Sequence, residues 1–304
     1  MRRMPGLKTS TTMTPTAAAF RQAVLRWFVR NGRDLPWRRT RDAWSVLVSE
    51  VMLQQTQVER VVPKYEAFVK RWPTPTSLAK SGLGEVLAAW SGLGYNRRAA
   101  RLREAAMAMM ERHGGAMPAE IEALEALPGV GRYTARAVAA FAYDRDVALW
   151  DTNIRRIALR YFFGGEFADR DQGDAALELL LASVLPKGRS RDWHGALMDL
   201  GSAVCASRLP RCAACPLAGS CVAAPRFLAG QAPPRALVRP QPRFEGSRRQ
   251  ARGAVVRELA AAGAKGVLEA RLRTRLGRPD ASDVIDALVR EGLASRRRGR
   301  LFLP

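Results

Sequence analysis

All four cysteines of the chain fall in one stretch, CASRLPRCAACPLAGSC, as Cys205, Cys212, Cys215 and Cys221 with the spacing C-x6-C-x2-C-x5-C. No thiol lies elsewhere, so any thiolate ligand set must come from this one segment. The first residues, MRRMPGLKTSTTMTPT, carry charge but no apolar signal-peptide core, so residues 1–16 read as a disordered tail and the chain is expected in the cytoplasm. In that reducing compartment clustered thiols serve as metal ligands rather than as disulfides. Zinc ribbons commonly pair two C-x2-C knuckles across a longer gap. Four cysteines in one compact loop suit a [4Fe–4S] cluster better, with zinc or free thiols the alternatives.

Around this loop the pattern is helical. From Ala17 to about Leu228, apolar residues recur at helical spacing in AAAFRQAVLRWFVRNG, in DAWSVLVSEVMLQQTQVERVVPKYEAFVKRW with a break at Pro63, and in NIRRIALRYFF and WHGALMDLGSAVC. Alternating β-branched runs are scarce, which predicts an all-α domain over 17–228, with the cysteine loop at 205–221. Residues 229–247 are rich in Pro and Arg without periodicity and read as a linker. Beyond it, 248–304 holds three short amphipathic helices and a hairpin with a basic tip, LASRRRGRLFLP, which resembles a winged-helix module. No apolar run reaches the roughly 18 residues of a membrane span.

The formal net charge is +22, and residues 229–304 hold 17 Lys and Arg against 7 Asp and Glu. Such an excess points to polyanions, with DNA or RNA ahead of a membrane surface, unless it is only a solvated basic face.

Three short segments can carry chemistry. In LPGVG, two glycines flank a valine in a tight turn that opens a helix, with Arg132 and Arg136 in its first turns. A turn of this kind aims backbone N–H groups at a phosphate, or is an ordinary helix–helix connection. In AWSVLVSEVMLQQTQV, Glu50 is the only charged residue. A carboxyl group among apolar neighbours retains its proton more readily and suits a general acid; the alternative is a water-facing edge beside Gln54 and Gln57. Asp151 precedes NIRRIALRYFF and can cap that helix. His113 and His194, the two histidines, read as structural or solvent-facing.

LPWR, VSEVMLQQTQV, GLGY, LPGVG, DTNIRR and the cysteine loop, in this order from about Phe20 to Cys221, resemble the adenine DNA glycosylases of the MutY type. The resemblance implies a helix–hairpin–helix glycosylase fold and a monomer that acts on double-stranded DNA with a mismatched or damaged base pair. It implies a base flipped from the duplex, with Glu50 protonating the purine at N7 and Asp151 steadying the positive sugar. The two acids are thus expected to converge on one nucleotide. Asn153 matches an active-site asparagine. Tyr133 stands where bifunctional relatives carry a Schiff-base lysine, which implies hydrolysis without efficient strand cleavage. Gln55 and Tyr95 match residues that wedge into the helix where the base leaves. Trp37, Arg38 and Leu53 match positions around the base pocket, and Leu127, Gly129, Val130, Gly131 and Arg132 match the DNA-binding hairpin. The four cysteines match ligands of a structural [4Fe–4S] cluster, whose loop offers Arg208 and Arg211 to phosphates.

Three features depart from the family pattern. Asn96 follows Tyr95 where the family often has a second tyrosine, Gly195 stands where a Gln or Glu often contacts adenine, and the linker and helical module after Leu228 read as too short for the Nudix-like domain usual in the family. A thymine or uracil glycosylase acting opposite guanine is therefore the alternative activity. A catalytically idle DNA-binding protein is the alternative outside enzymology.

Overall fold

The computed structural model describes residues 16–165, 170–231 and 243–304. The tail expected over 1–16, apart from Thr16, and most of the linker expected over 229–247 lie outside them; Thr16 belongs to the start of the first helix instead. The fold is mostly helical, as the periodicity predicts. Helices α1 (Ala17–Asn31), α2 (Ala43–Leu53), α3 (Val58–Arg71), α4 (Pro75–Ala79) and α5 (Leu83–Trp90) come first. Then follow α6 (Arg97–His113), α7 (Ile121–Glu125), α8 (Arg132–Phe141), α9 (Thr152–Phe163) and α10 (Arg170–Val184). The chain continues with α11 (Ser190–Ala203), α12 (Ala224–Leu228), α13 (Arg248–Ala262), α14 (Glu269–Leu276) and α15 (Ala281–Arg290). Contacts divide the chain into two units, Met1–Arg33 with Asp144–Leu237, and Asp34–Tyr143 with Val238–Pro304.

In the first unit, α1 packs on α11, and α11 on α9. Thr16 caps α1 by accepting from the Ala19 amide, and the helix buries Phe20 and Val24. Phe20 stacks on Tyr161 at 4.6 Å and meets Trp193 edge-on at 5.3 Å, so three helices share one aromatic centre. Asp199, 1% exposed on α11, accepts from both the backbone amide and the Nε of Arg33, at 2.9 and 2.7 Å. That satisfies a carboxylate that burial would otherwise penalise.

The second unit is built around α2, buried on nearly every side, which is why its sequence is apolar all round. It packs against α3 and α8, with Trp44, Leu47, Met52 and Trp90 in the core. The break expected at Pro63 falls earlier. The chain turns at Gln54–Gln57, and Pro63 sits inside α3. At the sixth position of α3, proline forfeits a single helical hydrogen bond, while Val61, Tyr65 and Phe68 bury a continuous face across it.

The last three helices also belong to this unit. The expected hairpin is present as β2 (Ser295–Arg297) and β3 (Arg300–Phe302), turning at Arg298–Gly299, both at positive φ. The sequence reading missed a third strand, β1 (Val267–Leu268), which pairs with the other edge of β3. Two residues are too few for a visible alternation. The backbone oxygen of Pro304 accepts from the Gly84 amide at 2.9 Å, tying the chain end to α5.

Candidate active site

The second unit holds Glu50. It is 8% exposed in the penultimate turn of α2, so burial favours the interior placement over a water-facing edge. Leu53 is half-buried against the same core, and Trp37 is buried with its ring edge-on to Tyr65 at 5.3 Å. Arg38, half-buried, closes the short turn that carries Trp37. After α2 the chain passes through Gln55, exposed and at φ +55°, in a left-handed conformation that disfavours any side chain. Tyr95 in the GLGY loop is also left-handed, at φ +48°.

One side chain holds both turns. Arg98 donates to the carbonyls of Val51, Met52 and Gln54 at 2.8, 2.9 and 2.7 Å, satisfying the end of α2. Its other nitrogen donates to the Thr56 hydroxyl at 3.0 Å and to the Leu93 and Gly94 carbonyls at 3.3 and 3.1 Å. Burial lowers the Arg98 pKa to about 10, so it is still charged near neutral pH and complements the negative helix end. Sequence reasoning missed Arg98, because its partners lie 4 to 47 residues away and no local pattern marks them.

The LPGVG turn joins α7 to α8. Leu127 and Val130 are buried and pin it to the core, while Gly129, Gly131 and Arg132 are exposed. Gly129 has φ +78°, and a Cβ there would stand 2.7 Å from the Arg101 Cβ, so only glycine fits. Gly131 is the N-cap of α8 and brings no capping side chain, so the positive end of the helix is not neutralised by its own cap. Tyr133 follows in the first turn, half-buried.

The first unit holds Asp151 and Asn153. Asp151 is the N-cap of α9, and its Oδ1 accepts from the amides of Asn153 and Ile154 at 2.9 and 2.8 Å. Its Oδ2 accepts from the Asn153 side-chain amide at 2.8 Å. Three N–H donors therefore fix both oxygens. Asn153 is held in turn by Arg156, which donates to its Oδ1 at 2.7 Å and also to the carbonyls of Gly201 and Cys205 at 2.7 Å each. A Cβ on Gly201 would lie 2.5 Å from the Asn153 Cβ, so glycine permits this approach of α11 to α9. Arg156 was missed from sequence, although its place three residues after Asn153 puts both on one helix face. Gly195 and His194 lie buried in the middle of α11.

The four cysteines, none in a disulfide, line one small cavity with Arg160, Val204 and Phe227. Among the described residues no three His, Cys, Asp or Glu side chains stand close enough to hold a single ion. The donor set fits an iron–sulfur cluster: four soft thiols in an apolar shell, with the Arg160 guanidinium 3.6 Å from the Cys205 sulfur. Burial raises the Cys215 pKa to about 12, so a thiolate there would need a positive charge beside it, which a bound metal would supply. Arg160 also donates to the carbonyls of Ala206 and Ser207 at 2.8 and 2.9 Å, so α9 buttresses the loop.

Residues 48–182 match the HhH-GPD superfamily of base excision DNA repair proteins. The chain is 42% identical over 231 residues to an adenine DNA glycosylase of Mycolicibacterium smegmatis, covering 76% of each protein. It is 40% identical to an adenine DNA glycosylase of Mus musculus, over 70% of this chain and 43% of the mouse protein. Among solved structures, a thermostable thymine-DNA glycosylase superposes with a TM-score of 0.65 at 31% identity, over 69% of this chain and 97% of that one. An endonuclease III–DNA covalent intermediate shares the fold at 22% identity, with a TM-score of 0.61 over 71% of this chain and all of that one. The chain is thus a DNA glycosylase and belongs to the adenine DNA glycosylase family of the HhH-GPD superfamily.

Proposed function

We propose that this DNA glycosylase hydrolyses the N-glycosidic bond of adenine mispaired with guanine or 8-oxoguanine, as a cytoplasmic monomer in base excision repair. Glu50 gives its proton to N7 of the extruded adenine. The bond from C1′ to N9 then breaks with its electron pair on a neutral leaving base. The sugar becomes an oxocarbenium-like cation, which the Asp151 carboxylate stabilises while it directs water to C1′. Tyr133, a phenol, forms no Schiff base, so the product is an intact abasic strand. Trp37, Arg38 and Leu53 shape the base pocket, and the Leu127–Arg132 turn holds a phosphate at the end of α8. Cys205, Cys212, Cys215 and Cys221 hold a [4Fe–4S] cluster, which when bound supplies four sulfur–iron links that close the loop.

The observation that carries this reading is the fixing of Asp151 by three N–H donors, with no lysine present at position 133. The likeness to a thymine-DNA glycosylase supports a second reading, removal of thymine or uracil opposite guanine. Duplexes holding A:8-oxoG, A:G, T:G and U:G, incubated with the protein and then cleaved at abasic sites with alkali, separate the two. Cleavage at adenine is expected, and cleavage confined to T:G and U:G overturns the adenine assignment.

A further inference from the structure

The C-terminal module neutralises part of its own charge. Arg252 donates to Glu291 at 2.8 and 2.6 Å, Arg275 pairs with Glu258, and Arg278 pairs with Asp280. Glu269, 8% exposed at the start of α14, takes Arg273 and, at 2.8 Å, Arg296. Arg296 also pairs with Asp286 on α15. Four exposed cations stand outside this network. Among the described residues, the side chains of Lys265, Arg271, Arg297 and Arg298 meet no carboxylate and no hydrogen-bond acceptor.

The backbone brings these four to one edge. In the β2–β3 hairpin Arg297 faces Arg300 in register, with Arg298 and Gly299 between them at the tip. The Gly299 carbonyl accepts from the Glu269 amide at 3.0 Å, which seats the tip on the first turn of α14, where Arg271 lies. Arg300 donates to the carbonyls of Lys265 and Gly266 at 3.0 and 3.1 Å, which seats Lys265 beside the same tip. Carbonyls leave the Arg300 charge uncancelled, so it adds to the field of the other four. Glu269 and Asp286 are already taken by Arg273 and Arg296.

The tip residue is chosen against its own backbone. Arg298 has φ +47° and Gly299 φ +72°. A two-residue turn of that form favours asparagine or aspartate before glycine. Arginine gains nothing from the turn, so its side chain carries the reason for its presence. Helix α15 has the opposite character. Asp283 is exposed on it, Asp286 is bound to Arg296, and its one cation, Arg290, is followed by Glu291. Such a face repels phosphates as much as it attracts them.

We propose that the β2–β3 tip and the start of α14, rather than α15, form a second grip on duplex DNA, taken through its phosphates and blind to sequence. Cations free of acids bind phosphates by releasing condensed counterions. Contacts of this kind position a protein and carry no sequence information. The grip therefore holds matched and mismatched duplex alike, which serves an enzyme that must survey intact DNA before it meets a lesion. It operates whichever base is removed.

The test uses the full chain and two duplexes of equal length, one fully paired and one holding an uncleavable abasic analogue. Equilibrium affinities are measured across a salt series. Arg297→Gln combined with Arg298→Asn removes two charges, and asparagine suits the turn, so the variant folds; circular dichroism melts check this. Affinity is expected to fall about tenfold at ~0.1 M salt for both duplexes, and the slope of log affinity against log salt to drop by about two. Arg298→Lys keeps the charge and the affinity. Arg290→Ala removes one charge from α15 and keeps the slope. An unchanged slope in the double variant, a loss confined to the abasic duplex, or an equal loss per charge in Arg290→Ala overturns the inference. So does binding to phosphatidylglycerol vesicles that the double variant loses while its duplex affinity holds, which assigns the edge to an anionic membrane surface. Failure leaves the base-excision reading standing, because no group placed in bond cleavage is altered.

Discussion

Asn153 grips Asp151 through both its backbone amide and its side-chain amide, at 2.9 and 2.8 Å. The cap of α9 is thereby turned into a fixed carboxylate, and the Asn153 carbonyl is in turn held by Arg156, which reaches the backbone of Cys205. A route of hydrogen bonds thus joins the cysteine loop to the aspartate.

Arg156→Ala cuts that route. Asn153 then keeps only its bonds to Asp151, and loss of a half-buried charged donor costs about 1–3 kcal/mol. Single-turnover base release is expected to slow by about 10–100-fold while the iron content stays near wild type. Arg156→Lys restores little, because an ammonium lacks the fork that reaches the Thr152, Asn153, Gly201 and Cys205 acceptors together.

Gly201→Ala tests the same relationship from the other side. The new methyl group would stand 2.5 Å from the Asn153 Cβ, against backbone that cannot yield cheaply. Overpacking of this kind costs about 1–3 kcal/mol. A melting temperature lowered by several degrees, with base release slowed at temperatures where the protein stays folded, is the expected result.

Much of this was legible in the sequence. Asp151 before an amphipathic run marks an N-cap, LPGVG marks a turn into a helix, and the cysteine spacing marks a shared ligand set. What the sequence hid is long-range. Nothing local predicts that Arg98 satisfies carbonyls on two separate turns, or that Gly201 is small because Asn153 lies against it. The break at Gln54–Gln57 was misplaced to Pro63 for the same reason. The end of α2 is set by Arg98, a distant cation, and proline early in α3 is tolerated.

His194 gives a pH dependence. It is 2% exposed, and burial lowers its pKa to about 4 from 6.5. Between these values the unfolded chain takes up a proton that the folded protein refuses, so stability falls as pH drops from 6.5 towards 4. The full effect is about 3 kcal/mol. His194→Gln should show a shallower loss of melting temperature over this window than wild type, and parallel curves would contradict the assignment.

Cys215→Ser tests the cluster. Wild-type protein should be yellow-brown with broad absorbance near ~400 nm, and the variant should lose both colour and iron. Duplex affinity should fall with them, because Arg208 and Arg211 sit in the loop that the cysteines close. Colourless wild-type protein with stoichiometric zinc would reject the iron–sulfur assignment.

The base-excision mechanism is tested most directly by single-turnover release of free adenine from an A:8-oxoG duplex, comparing wild type with Glu50→Gln. The amide keeps the shape of Glu50 and removes its proton. Release is expected to fall below detection in the variant while duplex affinity stays within about threefold, a change under 1 kcal/mol. Release at the wild-type rate by Glu50→Gln would contradict the proposal that Glu50 protonates the departing base.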